Sequence, residues 1–285
     1  MRIGFMPDGE VYPFRSRWFA SSSGRVHYVD EGDGTPILFC HGSPTWSFLY
    51  RRVITGLRDR YRCIALDHMG FGLSERPSDF GFTIAELTEV LGELVDHLDL
   101  DGFVVVGHDW GGPIGVGAAV PRAERVRGLV LCNTALWPID AMPNRAFSAV
   151  MSSRPCQRRI LDNNLLVEKF LIAGLGDVLT PLEADHYREV QPNRDARVAL
   201  GVMPREIRAA REWLCRLERE IPGALGGKPA IAVWGMRDVV FRPRGCLPRI
   251  QRDFADTEVI EVPRAGHFVP EEAPDEIVTA ISRRF

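Results

Sequence analysis

Short apolar runs alternate with amphipathic segments along most of the chain. A short continuous apolar run is typical of a strand buried on both faces of a parallel sheet. One further run, 25–31, alternates apolar and polar residues, as a half-buried strand does. The amphipathic segment after Thr83 begins with a capping box, because Glu86 can reach back to the Thr83 backbone. Strands that alternate with helices predict a mostly parallel, doubly wound α/β sheet with right-handed crossovers. The predicted buried strands are 36–40, 63–67, 104–106, 127–132, 230–235 and 259–262.

The alternation stops between the fourth and fifth of these strands. Residues 134–221 contain no convincing strand, and Pro or Gly separates their helical stretches. Thr180 and Pro181 form a helix start, since proline suits the first helical position. We therefore predict a core formed by residues 1–133 and 222–285, with an inserted all-helical cap at 134–221. The cap helices are predicted at 146–152, 165–172, 184–190 and 205–217.

Composition narrows the class of protein. The 285 residues carry a net charge of −3, which does not favour nucleic acid or an anionic membrane surface as a partner. No apolar run is long enough to span a membrane, and segment 1–14 lacks the apolar region of a signal peptide. The six cysteines are scattered without metal-ligand spacing. We interpret them as reduced thiols in a cytoplasmic protein that needs no metal.

The turn after the strand at 104–106 carries the main candidate for chemistry. Gly107-His108-Asp109-Trp110-Gly111 has the pattern of a nucleophile elbow, with aspartate where most elbows carry serine. A helix-capping aspartate is the ordinary alternative, but a cap does not need a glycine on each side. An ionised aspartate needs no base for its own attack and suits displacement of a leaving group from a tetrahedral carbon. The resulting ester must then be hydrolysed, which needs a general base and an oxyanion hole.

Two residues that follow later strands fit the roles of base and supporting acid. His267 lies after the last predicted strand and Asp238 after the strand at 230–235. The order nucleophile, acid, histidine is that of an α/β-hydrolase fold. Asp238 would hold the His267 imidazole in the required tautomer and stabilise its cation. The rival position for the acid is Asn133, which cannot act as one; the simpler alternative for His267 and Asp238 is an exposed surface position.

The oxyanion hole is predicted from two main-chain N–H groups, those of Trp110 and Ser43. The Trp110 indole N–H is a donor only, so beside the nucleophile it suits a halide or oxyanion leaving group; hydrophobic packing against the cap is the alternative. His41 is expected to organise its loop by hydrogen bonding. His108 is expected to point away from the nucleophile.

These motifs together resemble the haloalkane dehalogenases. The resemblance extends over nearly the whole chain. Within the family, the chain looks most like a mycobacterial-type subfamily, and it is also similar to the related β-lactone decarboxylases. It implies that Asp109 displaces halide, His267 activates water, Asp238 supports His267 and Trp110 donates to the halide. In one branch of the family an asparagine directly after His-Gly is the second halide donor, whereas Ser43 stands there in this chain. The matching segments are His41–Arg51, Gly70–Ser74, Gly107–Gly112, Gly235–Asp238 and Gly266–Phe268.

The resemblance implies a cofactor-free hydrolase that converts small to medium apolar haloalkanes and water into alcohol, halide and a proton. Three alternatives remain open. Epoxide hydrolases share the elbow but use two cap tyrosines, and only Tyr187 falls in the predicted cap. A β-lactone decarboxylase would use the same aspartate and a long apolar channel. A non-catalytic binder would have no use for an intact Asp–His–Asp set.

Overall fold

Eight strands form one sheet in the computed structural model, which describes residues 4–285. Strands β3 to β8 pair in parallel, whereas β1 and β2 form an antiparallel edge that joins the sheet through β4. The predicted fold class is confirmed, and a strand lies at every predicted position. The strands, whose sheet order is β1-β2-β4-β3-β5-β6-β7-β8, are β1 Arg17–Ser21, β2 Gly24–Glu31, β3 Thr35–Cys40, β4 Tyr61–Leu66, β5 Phe103–His108, β6 Val126–Cys132, β7 Ala230–Gly235 and β8 Thr257–Val262.

Helices connect the parallel strands. The capping box predicted at Thr83 is present, because the Thr83 side chain accepts from the Glu86 main chain and the Glu86 side chain accepts from the Thr83 main chain. The second predicted start, at Thr180 and Pro181, is also present. The helices are α1 Arg51–Leu57, α2 Ile84–His97, α3 Gly111–Ala119, α4 Met142–Met151, α5 Arg154–Asn163, α6 Ala173–Leu175, α7 Pro181–Glu189, α8 Val198–Ala209, α9 Arg211–Ala224, α10 Pro243–Asp253, α11 Val269–Glu272 and α12 Pro274–Arg284, with a π-helical segment at Leu166–Ile172 and short 3₁₀ segments at Ser47–Tyr50, Val120–Arg125, Gly176–Val178 and Asp195–Arg197.

The strand order places the site. The chain passes from β3 to β4 on one side of β3 and later to β5 on the other side. Parallel sheets bind ligands at such a reversal, beyond the carboxyl ends of the strands. Ser43 follows β3 and Asp109 follows β5 directly, so the two lie on either side of this crevice.

The segment between β6 and β7 forms helices and no strand. The predicted helix 205–217 is wrong in one respect, because α8 ends at Ala209 and α9 begins at Arg211. Helix α8 packs against α4 and α5, whereas α9 packs against α3 beside the sheet. Since α9 lies on the core, we propose that the cap ends at residue 210 instead of 221.

A buried network of charges joins the cap to the core. Arg51 on α1 pairs with Glu183 on α7 (Nη2–Oε1 2.6 Å) and with Glu271 on α11. The Tyr187 hydroxyl, also on α7, donates to Glu271. Arg52 adds a second cation at Glu183 (Nη2–Oε1 2.7 Å). Paired charges and hydrogen bonds compensate for the burial of these groups.

Among residues 4–285, no helix is long and apolar enough to cross a membrane. The six cysteines are free thiols, and Cys40, Cys63 and Cys132 are buried in strands. The prediction that segment 1–14 is not a signal peptide stays a prediction, and residues 1–3 lie outside the described part. Tyr12 from that segment is buried and shares a hydrogen bond with Ser47 (2.6 Å).

Candidate active site

The turn between β5 and α3 holds Asp109 in a left-handed backbone conformation, with φ of +52°. Residues other than glycine adopt this conformation rarely, and such strain is concentrated at functional sites. Close packing maintains the turn: a Cβ atom on Gly111 would lie 1.9 Å from the Cys40 carbonyl oxygen. A Cβ atom on Gly107 would lie 2.6 Å from the Cα atom of Gly112. The glycines of the motif are therefore required by contact between strand, turn and helix.

The Asp109 carboxylate is fixed at one oxygen and open at the other. The Ser43 main-chain N–H donates to Oδ1 (2.9 Å), so one of the two predicted oxyanion-hole donors already faces this carboxylate. The Thr134 hydroxyl donates to the Asp109 carbonyl oxygen (2.6 Å) and holds the main chain. Oδ2 lies 3.7 Å from Nε2 of His267. Asp109 also lines the cavity described below.

His267 lies between two carboxylates. Its Nδ1 is 3.0 Å from Oδ2 of Asp238, and its Nε2 faces Asp109. Burial alone would lower the pKa of His267, but the close contact with Asp109, the hydrogen bond to Asp238 and the charges of both carboxylates raise it to about 10. Burial would raise the pKa of Asp238, yet the hydrogen bond and charge of His267 hold it below its usual range. The resting site therefore favours an imidazolium between two carboxyl groups.

Asn133, which occupies the other position considered for the acid, contacts Asp238 directly. Its Nδ2 donates to Oδ2 of Asp238 (2.7 Å), the oxygen that also contacts His267. Its Oδ1 accepts from the Gly235 main chain (2.9 Å) at the end of β7. The other Asp238 oxygen accepts from the Val240 N–H (2.6 Å). The amide thus orients the carboxylate, a role that the sequence signals only through its position after β6.

The other candidate histidines have contacts of their own. His41 Nδ1 contacts the Gly42 carbonyl oxygen (2.8 Å) and its Nε2 accepts from the His68 main chain (2.9 Å), so it organises its loop. His108 Nε2 donates to the His267 carbonyl oxygen (2.8 Å). Burial and the neighbouring His267 lower the pKa of His108 to about 4, which keeps it neutral. Sequence reasoning did not foresee this contact with the loop of His267.

The stability of the folded protein is expected to depend on the His267 proton. Its pKa is raised from about 6.5 in the unfolded chain to about 10 in the folded one. The folded state binds the proton more tightly, so this contribution is fully present below about pH 6.5 and is lost as pH rises through about 10. It changes by about 1.4 kcal/mol for each pH unit between the two values. We expect the difference in unfolding free energy between wild type and His267→Gln, from urea denaturation, to shrink from pH 7 to pH 10; a constant difference would contradict the assigned pKa.

A cavity of about 510 Å³ opens above these residues, a usual size for a small-molecule site. Asp109, Trp110 and His267 lie at its base, and Trp110 is 7% exposed. The buried Ser43 hydroxyl also lines it and has no hydrogen-bond partner among the described residues. The cap contributes mostly apolar side chains to the wall, which include Ile139, Phe147, Leu166, Phe170 and Ile207.

Neither tyrosine nor a metal-binding cluster occurs at the cavity in the described part of the chain. Tyr187, the tyrosine in the cap, is fully buried and hydrogen-bonded to Glu271, away from the cavity wall. No group of three or more His, Cys, Asp or Glu side chains within residues 4–285 is arranged to hold a metal ion. The residues with polar side-chain groups that line the cavity are Ser43, Asp109, Trp110, Asn144, Lys169, His267 and Glu272.

Known proteins share the sequence and the fold of this chain over most of its length. The alpha/beta hydrolase fold family model matches residues 35–274. The chain is 55% identical to haloalkane dehalogenase 2 of Mycobacterium tuberculosis over 285 residues, which is 100% of both chains. It is 28% identical to a cis-3-alkyl-4-alkyloxetan-2-one decarboxylase of Shewanella oneidensis, covering 95% of this chain and 88% of the relative. The solved haloalkane dehalogenase DbeA from Bradyrhizobium elkani shares the fold with a TM-score of 0.87 at 23% identity, over 95% and 97% of the two chains.

Proposed function

The chain belongs to the haloalkane dehalogenase family of α/β hydrolases, and we propose that it acts through a covalent ester of Asp109. The family predicted from the motifs is thereby confirmed, and the protein is a hydrolase of carbon–halogen bonds. We assign Asp109 as nucleophile, His267 as base, Asp238 as its supporting acid, and Trp110 and Ser43 as leaving-group and oxyanion donors. The observation that carries this assignment is the position of Asp109 Oδ2, which is open to the cavity and faces Nε2 of His267.

The first step needs no proton transfer. Oδ2 of Asp109 attacks the halogen-bearing carbon, the new C–O bond forms, and the C–halogen bond breaks with its electron pair on the halide. The Trp110 indole N–H and the Ser43 hydroxyl receive the halide ion. Because the donors lie in a largely apolar cavity, their attraction for an anion is stronger than in water.

In the second step, His267 takes a proton from water, and the hydroxide oxygen attacks the ester carbonyl carbon. The main-chain N–H of Ser43, which lies 2.9 Å from Asp109 Oδ1, stabilises the oxyanion together with that of Trp110. The bond between the Asp109 carbonyl carbon and the alkoxy oxygen breaks, and the alcohol leaves with that oxygen and takes a proton from His267. The new Asp109 carboxyl group gives up its remaining proton and becomes a carboxylate again. The balance is one haloalkane and one water to one alcohol, one halide and one proton.

Formation of the ester also prepares the base. The close contact and charge of Asp109 are among the causes that raise the pKa of His267. Once Asp109 is an ester, its negative charge is gone, so the pKa of His267 falls towards neutrality. The imidazolium then releases a proton to solvent, and the neutral imidazole can act as a base on water. The charge of Asp238 remains and stabilises the imidazolium that forms during hydrolysis.

We further propose that the substrates are small to medium apolar haloalkanes, because the cavity walls are mainly apolar and the enclosed volume is about 510 Å³. Water is the second reactant and no cofactor takes part, since each step has its own side chain. A cytoplasmic location is proposed from the six free cysteines, which suit a reducing compartment. The position of Tyr187 argues against an epoxide hydrolase, because its hydroxyl is engaged with Glu271.

A substrate panel tests the proposed function. Purified protein is assayed for halide release from 1-bromobutane, 1,2-dibromoethane and 1-iodobutane, for diol formation from terminal epoxides, and for carbon dioxide release from a dialkyl β-lactone. We expect halide release with the alkyl halides and no turnover of the other two classes. Absence of halide release together with activity on either rival class would overturn the proposal.

Replacement of Ser43 by asparagine is expected to strengthen halide binding. The Ser43 hydroxyl is short, whereas a carboxamide adds a longer N–H donor beside Trp110. A hydrogen bond to an ion contributes about 1.5 kcal/mol or more, which corresponds to about tenfold in affinity. Quenching of tryptophan fluorescence by bromide measures the dissociation constant. Ser43→Ala is the matched control: it keeps the main-chain N–H, and its bromide affinity should fall below wild type; equal affinity in all three proteins would remove Ser43 from the halide site.

A further inference from the structure

One carboxylate binds the main chain on both sides of His267. The Gly266 N–H donates to Oε2 of Glu272 (2.7 Å), and the Phe268 N–H donates to Oε1 of the same side chain (3.0 Å). The single turn of helix α11 explains this placement, because it carries residue 272 back beneath residue 268, four positions earlier. The two residues that flank His267 are thus held by a single acidic group.

We propose that Glu272 is a positioning residue for His267, which it aligns with the water that hydrolyses the alkyl-enzyme ester. The inference rests on the proposed function, in which His267 acts on that water. Glu272 would not touch the reacting atoms; it acts through the main chain of the loop. No sequence motif singled it out, since Glu271 and Glu272 follow one another and only the fold separates their contacts.

The contacts of the two glutamates differ clearly. Glu271 is buried and binds Arg51 and Tyr187 at the junction of cap and core. Glu272 is half-buried, lines the cavity and forms no ion pair in the described part of the chain. Its two carboxyl oxygens accept from the two N–H groups instead. Hydrogen bonds to a charged acceptor are stronger than neutral ones, so this pair of bonds can fix the orientation of the loop.

The remaining sides of the loop are also held, which leaves His267 little freedom. His108 donates to the His267 carbonyl oxygen (2.8 Å). A Cβ atom on Gly235 would lie 1.9 Å from the Gly266 carbonyl oxygen, so β7 packs directly against the loop. Removal of the Glu272 carboxylate would leave the Gly266 and Phe268 N–H groups without a partner. No other described side chain accepts a hydrogen bond from either group. The imidazole can then tilt away from Asp238 and from the position of the attacking water.

The two-step reaction separates this role from general stabilisation. Asp109 attacks without a base, so displacement of halide does not depend on the orientation of His267. Hydrolysis of the ester depends directly on the orientation of His267. A displacement of the imidazole by about 1 Å can lower the rate of such a step by about 100-fold. A positioning role therefore predicts a selective loss in the second step. If Glu272 had a purely structural role, its replacement would lower the rates of both steps together, or would change neither rate.

The experiment compares Glu272→Ala and Glu272→Gln with Glu276→Gln, a charge-matched control at an exposed position on α12. Rapid-quench measurements with 1-bromobutane give the rates of halide release and of butanol formation in one turnover. For Glu272→Ala we expect halide release within about threefold of wild type and hydrolysis slower by about 10- to 100-fold, with alkyl-enzyme visible by mass spectrometry. Glu272→Gln keeps one acceptor oxygen and should show a smaller selective loss, and Glu276→Gln none.

The inference is overturned if the ratio of the two rates in Glu272→Ala equals that of wild type, whatever their absolute values. If Glu272→Ala does not fold, Glu272→Gln provides the test. The inference is then overturned if the ratio of halide release to butanol formation in Glu272→Gln equals that in Glu276→Gln. A titration of the His267 ring by nitrogen-15 NMR is independent of turnover: loosened contact with Asp238 should lower its pKa in Glu272→Ala, and an unchanged pKa counts against the proposal. If wild type releases no halide, the proposed function fails, while the NMR titration still tests Glu272.

Discussion

Replacement of Asp109 by asparagine is expected to lower the turnover number for halide release by roughly 10⁴-fold or more, as loss of a catalytic nucleophile does elsewhere. The amide oxygen carries no negative charge and is a poor nucleophile at carbon. The fold should be preserved, because asparagine can still accept from the Ser43 N–H, and the Thr134 hydroxyl binds the main chain of residue 109. Ion chromatography of released bromide from 1-bromobutane measures the effect.

Asp101→Asn is the matched control, since Asp101 is an exposed aspartate before β5, and its turnover should equal that of wild type. Slow deamidation of the introduced asparagine would restore the carboxylate, so peptide mass mapping must accompany the assay. Full activity in Asp109→Asn protein shown to retain the amide would mean that another group attacks the substrate.

Replacement of His267 by glutamine is expected to stop the reaction halfway. Asp109 still displaces bromide from 1-bromobutane, so about one equivalent of bromide per enzyme appears in the first turnover. Hydrolysis of the ester then lacks its base and slows by about 10² to 10⁴-fold. Mass spectrometry of the intact protein should show the added mass of one butyl group, and digestion should locate it on Asp109.

His97→Gln serves as the control, because His97 is exposed at the end of α2 and does not line the cavity. It should turn over normally and show no adduct. A His267→Gln protein that accumulates no adduct, although it releases a first equivalent of bromide, would rule out the ester; one that turns over at the wild-type rate would rule out His267 as the base.

Periodicity and motif order predicted the sheet because those signals are local. Each parallel strand, such as β5, is a short apolar run, and the Gly-x-Asp-x-Gly turn requires contacts between residues close in sequence. The predictions for Asp109, Asp238 and His267 used one further fact, that carboxyl ends of parallel strands share an edge. Their separations of 3.0 and 3.7 Å are properties of the assembled sheet.

Several of the contacts that escaped prediction join residues far apart in sequence. Asn133 and Asp238 are 105 positions apart, and their hydrogen bond depends on the pairing of β6 with β7. His108 and His267 are 159 positions apart. The break at Ala210 also depends on tertiary contact, because α8 packs within the cap and α9 packs on α3. The local helical pattern continues through residues 205–217 and does not indicate the break between α8 and α9.

The buried contacts of Arg51 mean that the cap is not a freely exchangeable module. Specificity in this fold could be engineered by grafting helices from a relative onto the core, but a graft without Glu183 and Tyr187 would leave Arg51 and Glu271 partly uncompensated at a buried junction. Breaking a buried ion pair by removal of one partner destabilises a protein by about 3–5 kcal/mol. A chimaera of this enzyme therefore has to transfer these two side chains with the graft, or replace all four residues at once.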